Sequence, residues 1–446
     1  MRDWTSGSVV GNVWHLALPM MLSNFLQTTY NFVDMVFVGR LGPEAVAAVA
    51  LAGTLLMVII TIAVGLQIGT AAMVARFVGA RDESSAGDVA VQSLLLGIAG
   101  SVGLVFFGWF LARPTLMLLG GRGEVLELAT GYLRVMFSGS IAIFLLFLSS
   151  AVLQGSGDAL TPLKALTLSN TANVILDPLL IFGPWIFPAL GVQGAAYATV
   201  TARGLGVIFV LSVLLRGRSR VRVRWRKVRL NIGMMWRVVR IAVPGSAQLG
   251  IRSVARLILM GIVAAYGTAA VAAFGVGIRL DMVVVLPGLG LATAAATLVG
   301  QNMGARKLDR AERSAWIAAG SYVAAMVVVG AIFWIFADRL VALVNNDPGI
   351  VGIGSQYIRI NSVCYPVLAL GVVLSRAFGG AGDTLSPMMI TALVLLGLQI
   401  PLALVLPAFG GLGTTGVWLA VAASVVAHGA ITAVWFKIGR WKHMEV

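Results

Sequence analysis

The second half of this 446-residue chain repeats the first at a fixed spacing, which limits the fold more than any other feature. Pro19 has a counterpart 225 residues on at Pro244, and Gly42 has one at Gly267. Ala-Val-Ala-Ala-Val-Ala-Leu at 45–51 returns as Ala-Val-Ala-Ala-Phe-Gly-Val at 270–276, and Gly65 returns as Gly290. Gly79-Ala80-Arg81 matches Gly304-Ala305-Arg306, and Tyr132-Leu133-Arg134 matches Tyr357-Ile358-Arg359. Gly155-Ser156-Gly157-Asp158 matches Gly380-Ala381-Gly382-Asp383, and Pro162 matches Pro387. By Gly191-Val192-Gln193-Gly194 the spacing has slipped to 222, the counterpart being Gly413-Thr414-Thr415-Gly416. A chain duplicated in this way is expected to fold as two like halves.

Composition says what each half is made of. The chain is 59% hydrophobic and 11% charged, whereas soluble domains carry about 25% charged residues. Apolar runs long enough to cross a bilayer recur at about 14–38, 45–75, 88–113, 128–153, 162–183 and 191–215. They resume at about 237–264, 270–299, 314–336, 355–378, 385–407 and 413–437. A spanning β-barrel would instead show short alternating segments. The expected fold is an all-α polytopic membrane protein of twelve helices. Six spans per half is an even number, so both copies enter the membrane in the same orientation, as parallel repeats. The expected organisation is an N-lobe over 1–215, a basic loop over 216–236 and a C-lobe over 237–446 with a short tail. The first apolar run is too long for a signal-peptide core and is expected to be retained.

A net charge of +15 suggests nucleic acid, but the placement of the charge excludes it. Arg216, Arg218, Arg220, Arg222, Arg224, Arg226, Lys227 and Arg229 crowd one loop between apolar segments. Such a loop marks the cytoplasmic side and meets anionic lipid headgroups. With the N-terminus inside, the inner segments also hold Arg81, Lys164, Arg306, Lys307, Arg310, Arg376 and Lys437. The outer ones keep Arg40, Arg113, Arg122 and Arg339. Both termini are therefore expected in the cytoplasm, with the protein in the inner cell membrane. The single cysteine, Cys364, excludes an intrachain disulfide. His15, His428 and His443 have no acid or cysteine at ligand spacing, so no metal site is expected beyond one for Na⁺.

Of seventeen acidic residues, only Asp34, Asp177 and Asp281 fall clearly inside spans. A carboxylate at mid-span costs about 2.5–3.5 kcal/mol on insertion scales, so each must face protein or water. Gln27, Asn31 and Asp34 lie at i, i+4 and i+7, on one face of the first span. That face reads as a cation or proton site, or as a structural ion pair. Asp281 follows Arg279 by two residues and does not face it; a charge partner would come from Arg252 or Arg256. For Asp281 a structural pair and a role in a C-lobe site stay equally open.

These residues resemble those of multidrug and toxic compound extrusion transporters. The resemblance rests on Leu26-Gln27-Thr28-Thr29-Tyr30-Asn31-Phe32-Val33-Asp34 with Val38-Gly39-Arg40-Leu41-Gly42. It rests also on Gly277-Ile278-Arg279-Leu280-Asp281, Leu286-Pro287-Gly288-Leu289-Gly290 and Val299-Gly300-Gln301-Asn302-Met303-Gly304-Ala305. It spans the whole chain, and Asn173 with Asp177-Pro178 is most like the branch named for the DNA-damage-inducible protein. The resemblance implies two six-helix lobes in a V shape and export of drug-like, mostly cationic compounds by alternating access. It implies antiport with H⁺ or Na⁺ bound in the N-lobe by Asp34, Asn173, Asp177 and Thr199, and a first helix that bends at Pro19. It involves no other cofactor.

The chemistry is compatible with that implication. Asn173 and Asp177 share a helix face, with Asn170 near it. Two carboxylates, an amide and a hydroxyl make an oxygen cluster for a hard cation, and two neighbouring carboxylates also suit a proton. Pro178 removes a backbone donor and favours a local kink. The positions 225 after Gln27, Asn31 and Asp34 are Arg252, Arg256 and Leu259, which argues against a C-lobe sodium site. The basic positions extend the expected substrates to anionic compounds. Candidate residues of the substrate cavity are Gln27, Tyr30, Asn31, Arg252, Arg256, Asp281 and Met282, with Phe144 and Phe147. The alternative function is a flippase for lipid-linked precursors. An enzyme is not expected, since the sequence has no P-loop and no catalytic constellation. Duplicated halves suit alternating access within a monomer better than an oligomeric pore.

Overall fold

The computed structural model describes residues 3–184, 188–217, 219–221 and 230–444, without the side chains of Asn31 and Phe32. Most of the basic run, Arg218 and positions 222–229, therefore lies outside the described residues. Among the described residues the regular structure is entirely helical.

Among the described residues ten helices are long and apolar enough to cross a membrane, and counting each of two bent helix pairs as one span brings the number to twelve. In the first half these are α1 (Val9–Gly39), α2 (Pro43–Gly79), α3 (Glu83–Leu118), α4 (Gly123–Ser138 with Ser140–Gly155), α5 (Leu160–Phe182) and α6 (Gly191–Leu215). In the second they are α7 (Ile232–Ala264), α8 (Thr268–Gly304), α9 (Leu308–Ile335), α10 (Pro348–Ser362 with Tyr365–Ala381), α11 (Leu385–Gly411) and α12 (Thr414–Ile438). The two bent pairs, at 47° and 61°, are repeat counterparts. Neither breaks at a predicted kink: α5 continues through Pro178 and α1 through Pro19.

The repeated motifs do the same work in each half. Gly157 and Gly382 take φ of 87° and 91°, a left-handed turn that a side chain would strain. The next residue then caps the following helix. Asp158 accepts from the Thr161 amide at 3.0 Å, and Asp383 accepts from the Ser386 amide at 2.9 Å. The Thr161 and Ser386 hydroxyls each donate back to that carboxylate at 2.6 Å. Gly155 and Gly380 serve packing instead. A Cβ on Gly155 would lie 2.7 Å from the carbonyl oxygen of Ala71, and one on Gly380 would strike that of Ala296, the repeat counterpart of Ala71. Small residues at such crossings let α2 approach α4 and α8 approach α10.

The chain forms two compact units, and they do not divide at the basic loop. One unit is built on Leu22–Val243; the other combines Asp3–Met21 with Pro244–Val446. The first turns of α1 thus belong with the second half, and those of α7 with the first. Contacts within each unit give the reason. Lys307 donates to the carbonyl of Thr5 at 2.8 Å and Arg310 to that of Ser6 at 2.6 Å. A Cβ on Gly290 would lie 2.5 Å from the Met21 backbone, and one on Gly69 would lie 2.6 Å from the carbonyl of Val238. Both division points fall next to the related prolines, Pro19 and Pro244, where the helical hydrogen-bond ladder lacks a donor.

Candidate functional site

In the unit built on Leu22–Val243, α1, α5 and α6 bring the predicted polar residues together. Thr199 of α6 is the junction. Its hydroxyl lies 3.1 Å from the Tyr30 hydroxyl of α1 and accepts from Nδ2 of Asn173 of α5 at 3.4 Å. Asn170, one turn before Asn173, donates to the carbonyl of Leu26 at 3.1 Å and so ties α5 to α1 a second time. Helical spacing explains the convergence, because Tyr30 and Asp34, Asn173 and Asp177, and Thr199 and Arg203 are three i, i+4 pairs.

The distinctive feature of this cluster is a surplus of acceptors. Asp177 is fully buried, Asn173 is 1% exposed and Thr199 is 4% exposed. Oδ1 of Asp34, Oδ1 of Asn173 and both carboxylate oxygens of Asp177 are buried with no hydrogen bond within 3.5 Å among the described residues, the Asn173 amide acting on Asp177 from beyond that distance. Buried polar atoms are nearly always satisfied, so four orphaned oxygens in one place mark a site built for something else. Oxygen-only donors suit a hard cation or a proton, and the residues present fit either.

Arg203 was not anticipated. Its guanidinium lies within electrostatic reach of Asp34 and Tyr30. Its sequence signal is a charge in an apolar span, one turn beyond Thr199. Phe144, a candidate cavity residue, has no exposed surface and packs beside Gly97 in the helical core. Gln27 is partly buried, and the side chain of Asn31 is outside the described set.

The second unit holds the remaining predicted residues in a different arrangement. Both oxygens of Asp281 in α8 are taken by phenols of α10: Tyr357 donates at 2.5 Å and Tyr365 at 2.7 Å. Arg256 acts on Asp281 electrostatically, while the direct contacts are tyrosines. Tyr357 is itself held by Phe274 and Trp418, with ring centroids 5.9 and 5.0 Å away. Met282, the neighbour of Asp281, is 45% exposed. Nη2 of Arg252 lies 3.5 Å from Nε2 of His428 in α12. Arg376 of α10, counted from sequence as an inner-side charge, lies close enough to Arg252 to repel it.

The comparisons with known proteins agree with this architecture. The MatE family profile matches twice, over residues 19–179 and 247–405, one match in each repeat. The chain is 28% identical over 434 residues to the probable multidrug resistance protein NorM of Thermotoga maritima, covering 97% of this chain and 93% of the relative. It is 27% identical over 399 residues to the FAD transporter of Shewanella oneidensis, covering 87% and 86%. Among solved structures it superposes on a MOP superfamily transporter from Pyrococcus furiosus, described as having a binding pocket of reverse polarity. The TM-score is 0.91 at 28% identity, over 99% of this chain and 98% of that one. The chain belongs to the multidrug and toxic compound extrusion (MATE) family of multi-pass membrane transporters.

Proposed function

We propose that the chain is a secondary active exporter of drug-like organic compounds, driven by antiport with H⁺ or Na⁺ bound at Asp34, Asn173, Asp177 and Thr199. The observation that carries this reading is the set of four orphaned oxygens on Asp34, Asn173 and Asp177. Charge supports the stoichiometry. Asp34 and Asp177 carry two formal negative charges against one positive on Arg203, so one monovalent cation or one proton makes the cluster neutral. A buried cluster that is neutral when loaded and charged when empty is the physical requirement for coupling, because the bilayer interior penalises the empty state.

Tyr30 and Asp34 sit on the α1 segment that belongs to this unit, and α1 changes unit just after Pro19. In this proposal, occupancy alters the attraction between α1 and α5, and Pro19 is the point at which α1 yields. We place both termini in the cytoplasm and the chain in the inner membrane on the bias of basic residues. The relative named as a FAD transporter supports including anionic cargo, and the arginines of the second unit favour it further.

The test is transport by purified protein in proteoliposomes, with a Na⁺ gradient and a pH gradient imposed separately. Asp34→Asn and Asp177→Asn are each expected to lower gradient-driven transport at least tenfold while elution and thermal unfolding stay normal. Full coupled transport in both variants would overturn the assignment.

A further inference from the structure

In the unit that includes Pro244–Val446, Arg252 of α7 lies within electrostatic reach of Arg256, one turn along the same helix, and of Arg376 of α10, all three inside predicted spans. Cationic side chains in a span are costly alone, and mutual repulsion adds to that cost. The expected compensation would be acids, but Arg252 and Arg376 have no ion pair among the described residues. Asp281 acts on Arg256 and already accepts from two tyrosines.

Arg252 is held in place without being neutralised. Nη2 of Arg252 lies 3.5 Å from Nε2 of His428. The Thr391 hydroxyl lies 3.2 Å from the same nitrogen and accepts from Nε2 of Gln248 at 2.9 Å. Thr391 is fully buried and His428 is 9% exposed. Gln248 and Arg252 are one turn apart on α7, so polar side chains of α11 and α12 flank this face of α7 and position the guanidinium. Uncompensated positive charge with a supported side-chain orientation is the arrangement of an oxyanion site, where guanidinium pairs bind carboxylate or phosphate.

We propose that Arg252, Arg256 and Arg376 form an anion-binding site that takes the carboxylate or phosphate group of the transported compound. The identification of the anion as cargo rests on the transporter reading above, whereas the site itself is tested without any gradient. The same chemistry could come from a water-soluble organic anion or from a lipid headgroup, and the two arms of the experiment separate them.

The full chain is reconstituted in phosphatidylcholine nanodiscs, and carboxyfluorescein binding is followed by fluorescence anisotropy, with inorganic phosphate as competitor. Expected are saturable binding, at least tenfold weaker binding in Arg252→Gln/Arg376→Gln, and partial retention in Arg252→Lys/Arg376→Lys. The anion should also raise the thermal midpoint of the wild type and leave that of the Gln variant unmoved. Repeating the titration in phosphatidylglycerol nanodiscs assigns the source. Loss of dye binding there identifies a lipid headgroup as occupant, and unchanged binding identifies a soluble anion. Absence of binding, or equal affinity in the wild type and a folded Gln variant, overturns the proposal. The result is independent of Asp34 and Asp177, so a failure of ion coupling would not be mistaken for a failure of this site.

Discussion

The contact between Tyr30 and Thr199 permits a quantitative test of the N-terminal site. The two hydroxyls are 3.1 Å apart and 169 positions apart in sequence, so the bond depends on α1 packing against α6. Thr199→Val removes the hydroxyl at nearly constant volume, and Tyr30→Phe removes the other partner. Each single change strands a buried group, at about 1–3 kcal/mol. The longer 3.4 Å contact from Asn173 adds a smaller loss to the Thr199 change. The double mutant should lose less than the sum, by a coupling energy of about 0.6 kcal/mol and at most about 1.7 kcal/mol, the range measured for hydrogen bonds within membranes. The assay is reversible unfolding of the four proteins in one detergent, with and without added Na⁺. Additivity within about 0.3 kcal/mol would show that the two residues do not interact and would refute the packing of α1 against α6 at Thr199. Thr199→Ser, which keeps the oxygen, should behave as wild type in the same series.

Three further outcomes are expected. Gly155→Ala should destabilise the first unit by about 1–3 kcal/mol in thermal unfolding, because the new Cβ meets the carbonyl of Ala71 and backbone must shift. Tyr365→Phe leaves Asp281 with Tyr357 as its one phenol donor and should cost about 1–3 kcal/mol, read in the same assay; a neutral result would show that the hydroxyl is dispensable. Asp82, which caps the start of α3, is held below its ordinary value of 3.8 by the Ser85 hydroxyl and backbone amide. A carboxylate with a depressed folded value contributes stability above the unfolded value, and that contribution is lost as pH falls through the lower folded value. Protection from hydrogen exchange at the first turn of α3, taken relative to the intrinsic rate at each pH, should therefore fall below about pH 4 in the wild type, and Asp82→Ala should abolish that pH dependence.

Several features were legible in the sequence because they are local or periodic. Apolar run length specified the spans, since backbone in a bilayer must satisfy its own hydrogen bonds. The Gly-x-Gly-Asp repeats specified two turns, because a left-handed residue followed by a capping aspartate has few other uses. Asp34 and Asp177 stood out because acids in apolar runs are rare and expensive. Arg376 did not, since basic residues near span ends are ordinary orientation signals, and for Arg203, in the middle of its span, only packing shows which acids it lies beside. The tyrosine partners of Asp281 were equally hidden, because Tyr357 and Tyr365 are more than seventy positions away and belong to a bent helix.

The sequence by itself determined that this chain is a duplicated, twelve-span helical membrane protein whose first span carries Gln27 and Asn31 where the related span of the second half carries Arg252 and Arg256. Those properties depend on composition, period and spacing, which any one segment carries without reference to the rest. Only the tertiary structure decided that the units divide inside α1 and α7, and that Thr199 joins three helices. It alone decided that four acceptor oxygens are left orphaned and that Arg252 and Arg376 come close with no ion pair of their own among the described residues. Those facts depend on which helix faces meet, and facing is set by close packing between segments that the chain order does not place side by side.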